Sequence, residues 1–468
     1  MKFKSQTINS DIARIIWIFI GSSAGRAVNF LLLPFFSHTL TSDQYGEYST
    51  YLAWVSFVVP IISLSLFRAL LPGYKDFPED KHKFTFSLLA LQVIIFFISI
   101  LAVLSLGTVF QISKKLVVYF ICVIMGAFGE YIVDYHCQAL LLMQQYKKRA
   151  LYQIFTAIGI TLVSVLALMV SEDYGYYARI LGKILVPLIL SILICVITFK
   201  NETIKEIDRY WKYGVSIAIP TIMHSISLII LGQCDRLMLQ WIKGSSDVGI
   251  YSLMATFASI MALATQVLVN FWIPKLSEEK NGEISSKGKF YCLTKLIVSL
   301  YTFCTICVML ISPDLIKLMA APEYWKGIIA VFPLIISQYL YFIYMFPLYI
   351  EQIHKKTRIM SMVTVIAAIS NVILNLFLVP IWGYFGASIS TMIAYMVSFF
   401  IHLKMGQKLE KKFFKISLFA DAFMLIPVWG VSFIFVEVSV IRWGILILCF
   451  VIYAIWLIKQ FKKYLTIV

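Results

Sequence analysis

Long apolar runs recur along the whole chain, and nothing else limits so strictly what it can become. Runs of about 20 residues, long enough to cross the hydrocarbon core of a bilayer, fall at roughly 12–38, 48–71, 84–110, 116–143, 150–170, 176–199, 213–242, 248–273, 290–312, 326–350, 358–379, 384–403, 414–436 and 440–458. In hydrocarbon every backbone N–H and C=O must find its partner inside the protein, so runs of this length predict α-helices. The reading is an all-α polytopic membrane protein of about fourteen transmembrane helices. Composition agrees: 60% of residues are hydrophobic, 14% are charged and the mean hydropathy is +0.87. A soluble domain carries about 25% charged residues.

The connections between runs carry the topology. Alternate connections separate sharply in lysine and arginine: the set that includes the N-terminus holds 27, among them Lys75, Lys147, Lys148, Arg149, Lys355 and Lys356, and the other set holds 6. Cytoplasmic loops retain positive charge during insertion, so both termini are expected inside. The same distribution accounts for most of the net charge of +16 as topology signal and contact with anionic membrane lipids. No basic block interleaved with aromatics suggests nucleic acid. The eight cysteines lie in or beside apolar runs, where they behave as small hydrophobes. Cys304 and Cys307 form a CxxC with no second pair of soft ligands nearby, so neither a metal nor a cofactor is expected.

The chain is duplicated. LTSDQYGEYS, from Leu40 to Ser49, returns 203 positions later, laying Gly46 on Gly249, Tyr48 on Tyr251 and Ser49 on Ser252. Pro72 falls near Pro274, QQYKKR at Gln144 meets QIHKKT at Gln352, and Gly175 and Tyr176 meet Gly383 and Tyr384. A near-constant offset along so many positions marks a repeated unit. Because the copies stand six helices apart, an even number, they have the same orientation and form parallel repeats. The expected organisation is a six-helix bundle over 1–208, a second over 209–404 with a cavity between the two, and an added helix pair over 405–468. Pro60, Pro187, Pro220, Pro333, Pro347 and Pro427 lie inside the runs and are expected to kink them.

Charges left inside the runs are the candidate functional residues, since a charge in mid-bilayer is costly and faces a cavity or a partner. Arg26 lies near the middle of the first run, with Ser22 and Asn29 one turn to either side. Glu130 and Asp134 are one turn apart on the fourth run, followed on that face by Cys137 and Gln138. Two readings of this acidic pair stay open: it holds an exchangeable proton that couples transport to an ion gradient, or it pairs with Arg26 or Arg68 to fix the fold. Arg179 and Lys183 share a face of the sixth run, Arg236 stands beside Asp235 near the outer end of the seventh, and Arg68 lies near the inner end of the second. These four cations join Arg26, Ser22 and Asn29 as candidate binders of an anionic cargo, and Asp235 joins Glu130 and Asp134 as a candidate coupling carboxylate.

The first run leading into LLPFFSHTLTSDQYGEYS, the seventh leading into DRLMLQWIKGSSDVGIYS, and NLFLVPIWGYFGASIST from Asn375 resemble the polysaccharide repeat-unit exporters, the O-antigen flippases. Their superfamily also contains the multidrug and toxic compound extrusion transporters and the lipid II flippases. The resemblance implies two parallel bundles of that superfamily's type, and a cationic cavity for which Arg26 is the natural candidate. It implies movement of an undecaprenyl-pyrophosphate-linked oligosaccharide across the bacterial inner membrane, from the cytoplasmic to the periplasmic leaflet. Polymerase and chain-length proteins are the implied partners. Many members have twelve helices, so the added pair is a departure. The physical argument agrees: a pyrophosphate cannot enter hydrocarbon unaided, and arginine's planar fork suits it. A multidrug extruder for cationic drugs would need an acidic cavity, against which Arg26 argues. A membrane polysaccharide polymerase would display a large external loop or an exposed acidic pair, and neither is seen.

Overall fold

The computed structural model describes residues 2–170, 175–200, 207–278, 288–411 and 413–467. Lys205, Lys280, Lys287 and Lys412, counted above among the basic connections, lie outside them. The described residues form helices and no strand. In chain order these are α1 (Lys2–Leu31), α2 (Leu33–Thr39), α3 (Ser42–Ser63), α4 (Leu70–Asp76), α5 (Lys81–Val109), α6 (Lys114–Leu142), α7 (Tyr146–Val170) and α8 (Gly175–Lys200). They continue as α9 (Ile207–Ile242), α10 (Ser245–Ala258), α11 (Ile260–Glu278), α12 (Lys289–Met319), α13 (Ile328–Ile353), α14 (Thr357–Leu409), α15 (Leu425–Ile434) and α16 (Ser439–Ile467).

Among the described residues nine helices are long and apolar enough to cross a membrane, and three bent pairs raise the number to twelve. The 52-residue stretch Arg358–Leu409 divides at Gly383, whose φ of 53° and ψ of −131° are not helical. A shorter apolar helix spans Ala420–Ile434. Counting that division and that helix separately gives the fourteen segments read from the sequence. Gly383 cannot carry a side chain there: besides its positive φ, an added Cβ would stand 2.3 Å from the Asp247 carboxylate.

The bent spans follow from local chemistry. The 51° bend between Ser42–Ser63 and Leu66–Asp76 sits at Leu64 and Ser65, with φ of 46° and 53°, four and five residues after Pro60. Backbone groups freed at such a break have no water to turn to in hydrocarbon. Here the Gln92 amide donates to Ser63 O at 2.7 Å, Ser65 N donates to Ser63 Oγ at 3.1 Å, and Phe67 N donates to Tyr131 Oη at 3.1 Å. The bend within α9, 44° between Ile222 and Ser225, likewise follows Pro220.

The chain divides into two compact units, 1–31 with 47–233, and 32–46 with 234–468. The first is built on α5, α6 and α8, with α1 laid along α7. Its core is aromatic and aliphatic: Tyr51, Phe84, Val123, Ile132 and Tyr135 are fully covered. In the second unit α13 packs along α14 and α12 along α16. The buried Arg442 guanidinium fastens α16 to α12 by an ion pair with Asp314 and donates to the carbonyls of Leu310, Phe435 and Val436.

Within the second unit the two copies of the duplicated motif cross. A Cβ on Gly46 would lie 1.8 Å from Ser245 O, and one on Gly249 would lie 1.9 Å from Ser42 O. Those two contacts are the same contact shifted by 203 positions, and Ser42 Oγ meets Ser246 Oγ at 2.8 Å beside them. Backbone lies directly on backbone, a separation only glycine permits at both positions.

Candidate functional site

Two polar regions lie within the spans, one in each unit. The first is a cavity of about 430 Å³ bordered by α6, α7 and the broken second span. Glu130, Asp134 and Gln138 reach it from α6, and Arg149 and Gln153 from α7. The i, i+4 spacing of Glu130, Asp134 and Gln138 puts all three on one helix face. Glu130 pairs with Lys183 of α8 at 3.1 Å, both side chains only partly covered, at 38% and 18% exposure. Of the two partners expected from the sequence for the acidic pair, Arg26 and Arg68, neither holds Glu130. Asp134 has no bonded partner among the described residues and opens to the cavity. Arg149 Nε and Gln153 Oε1 are buried beside it without hydrogen bonds, a donor and an acceptor left for something inside the cavity. Arg149 looks from sequence like a loop cation that merely sets topology. Its place in the fourth position of α7 carries it inward.

The other candidate cations of this unit are dispersed. Arg26 is exposed, ten residues from Ile16 and thirteen from Thr39 in the bent first span, and has no ion pair among the described residues. Asn29 is exposed one turn on, and the Ser22 hydroxyl is turned back onto Ile18 O at 2.8 Å. Arg68 sits in the 3₁₀ turn Leu66–Ala69 that follows the break, donates to Ser225 Oγ at 3.3 Å and lies 5.2 Å from the Phe67 ring centroid. Phe67 lines the cavity, so Arg68 stands at its border. Arg179 is buried, its guanidinium 4.0 Å from the Tyr48 ring centroid.

The second region is closed. Asp235 of α9 is 1% exposed, and four neutral donors converge on its carboxylate. Oδ1 accepts from the amides of Asn371 at 3.0 Å and Asn375 at 2.6 Å. Oδ2 accepts from Tyr251 Oη at 2.7 Å and Thr391 Oγ1 at 2.6 Å. Asn371 and Asn375 are one turn apart on α14, so one face presents both amides. Asn375 Oδ1 is buried without a hydrogen bond. Arg236, next in sequence, does not pair with Asp235. Its Nε donates to Ser252 at 3.1 Å and its guanidinium lies 5.7 Å from the Tyr251 ring centroid.

The two copies of the repeat share one feature and differ in another. Tyr48 lies under the Arg179 guanidinium and its counterpart Tyr251 under that of Arg236, but among the described residues only Tyr251 also donates to a carboxylate, that of Asp235. Sequence reasoning singled out Asp235 and missed its partners. The available signal was the i, i+4 asparagine pair inside an apolar run, and Asn375 and Thr391 are the first and last residues of the motif that carried the family resemblance. None of the eight cysteines is disulfide-bonded, and no cluster of His, Cys, Asp or Glu able to hold a metal occurs among the described residues.

Fold and sites together define a multi-pass helical membrane protein that keeps charged groups inside its spans, as membrane transporters do. Residues 12–280 match the family described as Polysaccharide biosynthesis protein, more than half of the chain, and the chain belongs to that family. It is 22% identical over 274 residues to Lsg locus putative protein 1 of Haemophilus influenzae, covering 55% of this chain and 64% of that protein. The match thus spans just under two thirds of that relative's length. An uncharacterized membrane protein of Haemophilus influenzae is 22% identical over 303 residues, covering 62% and 71%.

Among solved structures, the lipid II flippase MurJ in an inward closed conformation is similar with a TM-score of 0.72 at 12% identity, over 96% of this chain and 100% of that one. An inward-facing multidrug resistance MATE family transporter of the MOP superfamily gives 0.58 at 13% identity, over 84% and 99%. At such identities the likeness establishes the fold, which is the fold read from the sequence.

Proposed function

We propose that the protein is a flippase that carries undecaprenyl-pyrophosphate-linked oligosaccharide repeat units, of O-antigen or capsular polysaccharide, from the cytoplasmic to the periplasmic leaflet of the bacterial inner membrane by alternating access, both termini being cytoplasmic. The observation that carries this reading is Arg26: an exposed arginine halfway along a membrane span, without an ion pair among the described residues, in a chain of a polysaccharide biosynthesis family. A charge held at that depth needs water or an anion as its solvent, and the pyrophosphate is the anion common to every such cargo. Arg68, Arg179, Lys183 and Arg236, with Ser22 and Asn29, are the further groups assigned to the anion's path. The cavity beside Glu130 and Asp134 offers the polar wall that sugar hydroxyls require.

Three carboxylates are assigned to coupling with a proton or sodium gradient: Glu130, Asp134 and Asp235. Asp235 has the strongest support, because a buried carboxylate held only by neutral donors, beside an unbonded amide oxygen, is short of one positive charge. A half-turn of either asparagine amide replaces its donor with its carbonyl oxygen, giving the oxygen ligands a hard cation takes.

The test is export in cells whose own gene is deleted. Arg26→Ala, present in the membrane at normal abundance, should lower export at least about tenfold, as expected for losing a charged contact of about 2 kcal/mol or more. Arg26→Lys keeps charge without the bidentate fork and should fall between. Complete lipid-linked repeat units should accumulate in the deletion strain. Normal export by Arg26→Ala would remove the observation on which the reading rests.

A further inference from the structure

A second cavity of the first unit, about 390 Å³, has no part in the reading above. It lies where α5 and α7 begin and α6 and α8 end, at the lysine-rich end of the unit. α6 separates it from the transport cavity: Asp134, Cys137 and Gln138 line one side, and His136, Leu140 and Met143 line the other. Five donor side chains converge on the second cavity, those of His82, His136, Gln145, Lys148 and Tyr152. Among the described residues no hydrogen bond uses the side-chain nitrogens of the first four or the hydroxyl of Tyr152. The His136 ring stands edge-on to Tyr152, ring centroids 4.9 Å apart, so the two side chains sit side by side in the wall. Among the described residues no carboxylate lines the cavity. A pocket of unused donors with a cation at its rim and no acid selects an anion.

The remaining walls identify what carries that anion. Leu140, Met143 and Ile197 give the cavity an apolar side. Val196, Ile197 and Phe199, at the end of α8, expose 58%, 56% and 37% of their surface, an apolar strip that only lipid would cover. An anion site that continues into a lipid-facing strip, at the basic end of a helix bundle, fits a phospholipid better than a free ion. The volume is at the low end of the roughly 300–1,000 Å³ of small-ligand pockets. That suits a glycerophosphate headgroup.

We propose that this cavity binds the phosphodiester headgroup of an anionic membrane phospholipid, with Lys148 and His82 at its rim and His136 and Tyr152 inside. The proposal is independent of the cargo, since none of these residues is assigned to transport.

The experiment is native mass spectrometry of the full chain in detergent, titrated with phosphatidylglycerol or phosphatidylcholine. The wild type should retain phosphatidylglycerol at least about tenfold more tightly than phosphatidylcholine, the ratio expected for one charge-assisted contact. Lys148→Gln and His82→Gln should each lose most of that preference, and Lys148→Glu all of it. Both residues are exposed, so their replacement leaves the packing of the unit intact, which melting in lipid-free detergent checks. Lys115→Glu, at the opposite end of α6, should keep the preference. Equal retention of the two lipids would overturn the proposal, as would an unchanged preference in Lys148→Glu. Displacement of phosphatidylglycerol by an equal concentration of inorganic phosphate would assign the cavity to a free anion and overturn the lipid.

Discussion

The polar interiors of the two units treat charge in opposite ways. In the first, Glu130 pairs with a lysine while both stay partly uncovered, Asp134 opens into the cavity that Glu130 also lines, and Arg149 and Gln153 keep atoms free. In the second, Asp235 is sealed in, and every bond to it comes from a neutral group. The difference reflects solvation. A partly uncovered pair has water or cargo to complete its shell, so its geometry can be loose and its members exchangeable. A sealed carboxylate has no solvent to fall back on, so each donor must be fixed, and what remains to be gained or lost is one positive charge. The first arrangement suits a passage for a large polar cargo, and the second suits a small ion that enters and leaves.

The sharpest way to break this contrast is to empty the sealed site. Asp235→Ala would strand four buried donors at about 1 kcal/mol or more each, so a loss of about 4 kcal/mol is expected, read as a fall in melting temperature and in membrane abundance. A loss under about 1 kcal/mol would mean that the site is open to water. Next comes Gly249→Ala, which drives a methyl into the Ser42 carbonyl. Neither backbone can yield there, and a cost of about 3 kcal/mol is expected from overpacking; Gly46→Ala should match it by the symmetry of the two contacts. An unequal pair would show that the crossing relaxes on one side. Tyr251→Phe removes one of the four donors and should cost about 1 kcal/mol. The smallest effect belongs to the open cavity: Glu130→Gln and Lys183→Met, measured as a double-mutant cycle, should show coupling below about 1 kcal/mol, because a partly exposed ion pair is screened. Strong coupling there would erase the distinction between the regions.

Much of the architecture was legible because membrane folding rewards a simple pattern. Apolar runs of sufficient length became helices. Gly383, which separates two runs in the sequence, is where the longest helix breaks. Gly46 and Gly249 were visible as a repeated pair, though nothing in the sequence says that the pair lies face to face. In the sites, Glu130, Asp134 and Asp235 stood out because ionised groups are rare in apolar runs. Lys183, the partner of Glu130, stood out for the same reason; most partners of Asp235 did not. Asn371, Asn375 and Thr391 are neutral and common enough in membrane helices to pass as packing, and Arg149 passes as a loop cation until α7 is seen to start at Tyr146. A carboxylate announces itself in one dimension. Three of the four donors that satisfy Asp235 come from α14, more than a hundred residues away, and only the folded chain shows which.

The most direct measurement is flipping of a pyrophosphate-linked oligosaccharide by the purified protein in vesicles, with and without an imposed sodium or proton gradient, for the wild type, Asp235→Asn and Glu130→Gln. The wild type should flip the lipid and do so several-fold faster with a gradient of one of these ions. Asp235→Asn should lose that stimulation, and Glu130→Gln, whose role is shared with Asp134, should retain most of it. Gradient stimulation that survives Asp235→Asn and disappears in Glu130→Gln would contradict the assignment of coupling to the sealed site, and a wild-type protein that leaves the lipid-linked oligosaccharide in place would contradict the function itself.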